Sequence, residues 1–216
     1  MRLFVVLTCF LITNAGAAYA ESFRNCTREE VRVLGNALDA AKELTVDAAA
    51  AVGDTREFQR WFGTYSAGNA EKVRSGLKGI VSAIRRGGVT AQCDQIEPNG
   101  CATGEYAFVY SDRPYHMHIC PSFFSLPSLE TLRPGARRSD FGTREGTIVH
   151  EISHFEHVAG TSDHCYSRSD CRMMAISDPS LAIENADSYQ YFTEDVTYYA
   201  RQVVGDKPPP APRPNR

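Results

Sequence analysis

The chain has 216 residues, a formal net charge of −3 and seven cysteines, with 43% hydrophobic and 23% charged side chains. Its mild acidity argues against a nucleic-acid binder, which would carry a basic face. No stretch reaches the roughly twenty apolar residues that a membrane-spanning helix needs.

In chain order, the first signal is one of targeting. Met1-Arg2, the apolar run Leu3 to Ile12 and Ala18-Tyr19-Ala20 follow the positive, apolar, small-x-small order of a secretory signal peptide, assigned to residues 1–20. Its removal leaves 196 residues (216 − 20), a net charge of −4 once Arg2 is gone, and six cysteines, because Cys9 leaves too. A region of that size makes one domain with a real core, here residues 21–206, with no membrane partner expected after cleavage. Cys26, Cys93, Cys101, Cys120, Cys165 and Cys171 in an exported chain point to three disulfides, with fifteen pairings open on the count alone.

Thr27-Arg28-Glu29-Glu30 has the form of a capping box, and the alanine-rich stretch behind it predicts a long helix to Ala51. Helices are also predicted over Thr55–Tyr65 and Ala70–Arg86, the latter stopped by Gly87-Gly88. Tyr106–Tyr110 and Tyr115–Cys120 are short, aromatic and β-branched, separated by Ser111-Asp112-Arg113-Pro114, and read as a strand pair. Residues 121–144 read as a long surface loop. Helical patterns return at Gly146–His157 and from Ser188 to Val204. Residues 207–216 hold five prolines and read as a disordered, extended tail.

The chemistry concentrates in Thr147-Ile148-Val149-His150-Glu151-Ile152-Ser153-His154-Phe155. Histidines four apart on a helix lie one turn apart on one face, so both imidazoles can reach a single Zn²⁺. The glutamate after the first histidine then faces the open side of the metal, where it can take a proton from an attacking water. Two surface histidines on an amphipathic helix would give the same spacing, but the apolar Ile148, Val149, Ile152 and Phe155 and the export signal favour a metal site.

A catalytic zinc takes three protein ligands, so one more is needed. A metzincin would require Gly at 157 and His at 160, where this chain has His157 and Gly160. A glutamate from a later helix would have to be Glu184 or Glu194, and neither sits in a Glu-x-x-x-Asp setting. Asp163 follows Gly160, a residue that tolerates the left-handed conformation needed to turn the chain back. Alone, Asp163 reads as an Asx-turn residue; behind the helical motif it is a candidate ligand. His157 and His164 read as rim residues.

His150-Glu-x-x-His154 followed by Gly160-Thr161-x-Asp163-x-x-Tyr166 resembles the signature of the aspzincin metalloendopeptidases, the family of the deuterolysins and the peptidyl-Lys metalloendopeptidases. Arg60-Trp61-Phe62-Gly63, Tyr106–Tyr110, Cys120, Ser177-Asp178-Pro179 and Asn185-Ala186-Asp187-Ser188-Tyr189 through Phe192 extend the likeness over roughly Cys26 to Asp195, nearest the Lys-specific branch. The resemblance implies an α+β, zincin-like single domain, mainly helical with a small β-sheet. It implies His150, His154 and Asp163 as ligands of one Zn²⁺ per chain and Glu151 as general base. Tyr166 becomes the donor to the substrate oxygen that turns negative during attack, against the alternative of a simply packed tyrosine. The pairs Cys26–Cys93 and Cys101–Cys120 follow the family's layout. Cys165 and Cys171, which bracket Tyr166 and are not expected in the family, pair by proximity. Ser167 stands where the family has Gly.

In the Lys-specific relatives an acidic pair lines the pocket for the residue after the scissile bond; Asp187 matches the first acid and Gln190 replaces the second. Asp187-x-x-Gln190 is also a capping-box pattern for the last helix. The function expected is a secreted zinc metalloendopeptidase, extracellular or periplasmic and monomeric, cutting protein or peptide substrates on the N-terminal side of Lys. The alternatives are a broad, deuterolysin-like protease and an inactive, disulfide-stapled binding module with structural zinc. Glu151 argues against the module, since a structural site takes a fourth protein ligand and needs no base.

Overall fold

The computed structural model describes residues 22–85, 88–98, 100–131 and 142–205, with 198–205 described by backbone alone. The segments assigned to the signal peptide and the proline-rich tail lie outside these residues. Strand β1 (Ser22–Arg24) leads into helix α1 (Arg28–Ala51), which starts at the anticipated capping box, with Thr27 and Glu30 each accepting from the other's backbone N–H. Helices α2 (Arg56–Phe62) and α3 (Ala67–Arg85) follow, then strands β2 (Thr90–Cys93), β3 (Ala107–Val109) and β4 (His116–Ile119). Helix α4 (Arg144–Ser153) carries the histidine motif, and α5 (Arg168–Ser177), α6 (Pro179–Ile183) and α7 (Ala186–Gly205) complete the order.

The strands form one mixed sheet in the order β1-β2-β4-β3, with β2 parallel to β1 and β4 and the hairpin partner β3 antiparallel at the edge. Helix α1 forms the spine. Leu34, Ala37, Leu38, Ala41, Leu44, Ala48 and Ala49 fall at helical spacing on its buried face, and their small side chains let α3, α4 and α7 pack against it. Helix α2 meets α7 largely through rings: Trp61 lies 5.1 Å from Tyr191, and Phe62 lies 5.4 Å from Tyr189 and 5.3 Å from Phe192. Burying each such side chain contributes about 1.5–3 kcal/mol. This cluster fixes α7, the helix that backs the site.

The sequence reading needs three corrections here. Residues 121–144 are not simply a surface loop, because Pro121–Ser125 and Leu129–Thr131 are 3₁₀ turns that bury Phe123, Leu126 and Leu129. The helix read over Gly146–His157 ends at Ser153, and residues 154–159 continue as turns. Helix α7 begins at Ala186, so Asp187 lies inside its first turn rather than at its cap, and the capping role read for Asp187 and Gln190 falls away. All three disulfides pair as expected: Cys26–Cys93, Cys101–Cys120 and Cys165–Cys171. Among the described residues, no helix is long and apolar enough to cross a membrane.

Candidate active site

Helix α4 is held with its histidines facing outward because its other sides are buried. Thr143 caps it, accepting from the Gly146 N–H, and Ile148, Val149 and Ile152 are wholly buried. Gly146 lets it approach α7 closely. A Cβ there would lie 2.1 Å from Glu194 Oε1, so any larger residue would displace the Glu194 carboxylate from its partners Thr143 and Arg168. That approach puts His150 against Asp187.

The imidazoles of His150 and His154 sit nearly perpendicular, 4.8 Å between centroids. His150 Nδ1 donates to Asp187 Oδ1 at 2.8 Å, and His154 Nδ1 donates to the Thr161 carbonyl at 2.9 Å. Both acceptors can only accept, so each ring keeps Nε2 for another partner. Both Nε2 atoms meet one carboxylate oxygen, Asp163 Oδ1, at 3.2 and 3.5 Å. Ligands tetrahedrally placed about 2.0–2.1 Å from a zinc ion lie about 3.3–3.4 Å from one another, so the site fits that ion. Among the described residues, the other group close enough for a metal, Cys101, Glu105 and Cys120, has both sulfurs in a disulfide.

Asp163 reaches this point from a short arm. Gly160 takes the left-handed conformation expected of it, φ +59°. Ser162 then forms a bridge with Asn185, and the Asn185 side chain accepts from the backbone N–H of His164 and Cys165 at 2.8 and 3.0 Å. Tyr166 follows, 63% exposed, its phenol interacting with Asp163.

Burial pushes the Glu151 carboxyl up to about 7; the charge of His150 opposes this, and Asp163, Glu105 and Asp187 reinforce it. Burial works against a proton on His150, but the carboxylates of Asp163 and Asp187 on its two nitrogens outweigh it and raise its pKa to about 10. A metal cation bound there would take the place of that proton. Burial and then the neighbouring His150 lower His154. For Asp163 burial acts upward, and the pairing with His150 overcomes it to hold the carboxyl below its usual range. Burial first, then Asp163, pushes the Tyr166 phenol up to about 12, so it remains a proton donor throughout the neutral range.

These residues share a cleft of about 480 Å³, bounded by the edge strand β3 on one side and α7 on the other, and lined also by Glu105, Asp187, Gln190 and Tyr191. A larger groove, about 1140 Å³, runs along α1 and contains no histidine. All seven residues singled out in the sequence line the smaller cleft: His150, Glu151, His154, Asp163, Tyr166, Asp187 and Gln190. Asp187 is nearly buried and its Oδ1 is engaged with His150; Gln190 is buried too, its amide donating to Glu194 Oε1 at 3.3 Å. His157 and His164 are exposed and do not line the cleft. The sequence reading missed Thr161, Asn185, Glu105 and a buried ionic cluster of Arg168, Glu194 and Asp195. Glu194-Asp195 within an apolar, aromatic helix was the available sign, since buried carboxylates require partners.

Two imidazoles, a carboxylate and a buried glutamate in one cleft are the donors and the base that a metallopeptidase of the two-His, one-Asp kind requires. The comparisons place the chain within that class. The aspzincin family model, described as lysine-specific metallo-endopeptidase, matches residues 47–194, and the chain belongs to this family. An extracellular protease of Aeromonas hydrophila is 33% identical over 174 residues, covering 79% of this chain and 46% of the relative. A peptidyl-Lys metalloendopeptidase of Pleurotus ostreatus is 32% identical over 141 residues, 65% of this chain and 74% of the relative. The solved zinc peptidase from Grifola frondosa superposes with a TM-score of 0.67 at 26% identity, covering 79% of this chain and 97% of that one. The chain spans about half the length of several curated relatives it matches, 46% for the proteins from Aeromonas hydrophila and Armillaria mellea. The family model's description as a metallo-endopeptidase agrees with a donor set fit for a metal.

Proposed function

We propose that this chain is an exported zinc metalloendopeptidase that holds one Zn²⁺ through His150, His154 and Asp163 and cuts on the N-terminal side of basic residues, lysine foremost. The observation that carries the reading is the meeting of both Nε2 atoms at Asp163 Oδ1, 3.2 and 3.5 Å away, with Glu151 buried in the same cleft. Zinc, when bound, supplies a Lewis acid that polarises the peptide carbonyl and makes water acidic enough to attack near neutral pH. Glu151 takes the proton of the attacking water and delivers it to the departing amine as the C–N bond breaks. Tyr166 donates its phenolic hydrogen to the carbonyl oxygen as that oxygen gains charge. Asp187 and the Thr161 carbonyl hold the two Nδ1 protons and thereby aim both Nε2 atoms.

Export rests on the signal-peptide pattern of residues 1–20 and on three disulfides, which persist in oxidising compartments. The basic preference rests on the charge of the cleft. Its described lining includes Glu105, Glu151, Asp163 and Asp187 and no lysine or arginine. Asp187 and the carbonyl of Gln190 favour a compact ammonium over a planar guanidinium, which seeks a bidentate carboxylate. The engagement of Asp187 with His150 favours the second reading, a broad protease, since it leaves less of that carboxylate for a substrate.

Metal analysis with casein digestion, with and without chelator, and a cleavage-site map of a denatured protein test the reading. The expected outcome is one zinc per chain, activity abolished by the chelator and cuts preceding lysine. Cuts spread evenly over residue types give the broad protease, and full zinc without digestion gives the binding module.

A further inference from the structure

Tyr166 is the one catalytic candidate with no packing to hold it. Its side chain is 63% exposed, whereas His150, Glu151 and His154 sit on or beside the buried α4. Apart from the contact of its phenol with Asp163, on the same arm, its position comes from the backbone of that arm, which is strained immediately after it. Ser167 adopts φ +78°, a region L-residues enter at a cost of order 1–3 kcal/mol. Such a conformation persists only if both flanks are fixed. The near flank is fixed by Asn185 and by the Cys165–Cys171 disulfide. The far flank is fixed by Arg168.

Arg168 is only 7% exposed. One guanidinium nitrogen donates to Asp195 Oδ1 at 2.8 Å and another pairs with Glu194, while its plane lies over the Tyr191 ring, 4.4 Å from the centroid. Both carboxylates reach further. Glu194 accepts from the backbone N–H and the hydroxyl of Thr143, the cap of α4, both at 2.9 Å. Asp195 accepts from the Trp61 indole at 3.2 Å and from Arg60 at 3.4 Å. One buried fork therefore ties the arm of Tyr166 to the start of the helix bearing His150 and to α7. Reaching two carboxylates at fixed angles requires a guanidinium.

We infer that Arg168 is a positioning residue for catalysis: its bonds to Glu194 and Asp195 set the Tyr166 phenol over the cleft relative to the histidine helix. This rests on the proposal that Tyr166 acts as the oxyanion donor. Misplacing a reacting group by about 1 Å costs up to about a hundred-fold in rate, so the effect belongs in kcat and not in zinc binding or KM.

The test is a double-mutant cycle of Arg168→Lys with Tyr166→Phe in the full chain, reading kcat and KM on a quenched peptide, zinc content and Tm. The expected results are a kcat lowered about ten- to a hundred-fold in Arg168→Lys with KM and zinc retained, and less than about a two-fold further loss when it is added to Tyr166→Phe. If Tyr166→Phe is slow and Arg168→Lys lowers kcat by the same factor in both backgrounds, the inference is overturned and the oxyanion reading stands. If Tyr166→Phe alone keeps the parent kcat, the oxyanion reading fails and takes the inference with it. Should Arg168→Lys fold poorly, Asp195→Asn, which removes one acceptor of the fork, is read through the same cycle with the same two outcomes.

Discussion

The two histidines and the aspartate of the proposed metal site are held by opposite kinds of structure. His150 and His154 stand at the end of a helix whose other faces are buried among α1 and α7, so hydrophobic packing fixes them, and each ring is braced by an acceptor at Nδ1. Asp163 and Tyr166 stand on an arm with exposed side chains, fixed by discrete devices: a left-handed glycine, an asparagine, a disulfide and a buried arginine. Packing is distributed and tolerant of single losses, whereas discrete anchors fail one at a time. Damage to the helix should therefore appear as lost stability and lost metal, and damage to the arm as lost chemistry in a folded protein.

The largest effects test that contrast at the ligands. His150→Ala, His154→Ala and Asp163→Ala should each strip the metal and the activity together. They should differ in stability, because His150→Ala also removes one of the partners of the buried Asp187 carboxylate, at a cost of about 1 kcal/mol, while the Asp163 side chain is a third exposed and water can replace more of what it loses. Elemental analysis and thermal melts of the three variants check this. Full zinc in Asp163→Ala would remove the arm from the ligand set and break the comparison.

Glu151→Gln comes next. It retains shape and metal but has no base to offer, so kcat should fall about 10²–10⁴-fold with zinc content unchanged. Digestion at the parent rate would end the proposed mechanism.

The disulfides separate the two regions most directly. Cys26–Cys93 closes a span of 67 residues far from the cleft, and its removal should cost about 4 kcal/mol of stability in the chain-entropy model with kcat preserved. Cys165–Cys171 spans six residues around Tyr166, and its removal should cost only about 2 kcal/mol yet lower kcat several-fold. Double serine variants of each pair, compared by melting and by turnover, decide the matter. Equal effects on kcat would show that the short disulfide is only a staple.

The same contrast governed what could be read without a structure. Helix-borne features were legible because their physics is local: the Thr27 capping box, the alanine-rich run of α1 and the His150–His154 spacing are all short-range helix signals. The arm was legible only in part: the turn at Gly160 and the lack of another third ligand made Asp163 a candidate behind the helical motif, whereas Tyr166 gained a role only through the resemblance to a family, since residues 160–167 have no periodicity. Helices α5 and α6 escaped because they are short and largely exposed, with Met173 and Ile176 facing outward and breaking the apolar stripe. Strand β2 escaped because it has only four residues and depends on pairing with β1 and β4. The Arg168 cluster joins residues more than a hundred positions apart, such as Trp61 and Asp195, which no local pattern encodes.

The smallest predicted effect lies where α7 meets the substrate. Gln190 lines the cleft and donates to Glu194 Oε1 at 3.3 Å, so its amide keeps one carbonyl oxygen to offer as a neutral acceptor. Gln190→Glu exchanges this arrangement for a carboxylate beside the Glu194 carboxylate. The lost hydrogen bond should lower stability by about 1 kcal/mol. Repulsion from Glu194, whose own donors from Thr143 and Arg168 remain in place, should turn the new charge toward the cleft, where a substrate ammonium can meet it. A charge-assisted hydrogen bond exceeds its neutral counterpart by about 1 kcal/mol. The ratio of kcat/KM for Lys over Arg peptides should therefore rise about five-fold, with Asp187 still serving His150 and zinc content unchanged. Ratios measured on paired peptides differing at one position check the outcome. An unchanged ratio in a folded, zinc-loaded Gln190→Glu would mean that this side chain braces Glu194 and takes no part in choosing the substrate. A ratio that rises while turnover on neutral peptides holds would assign specificity to α7 and catalysis to α4 and the arm.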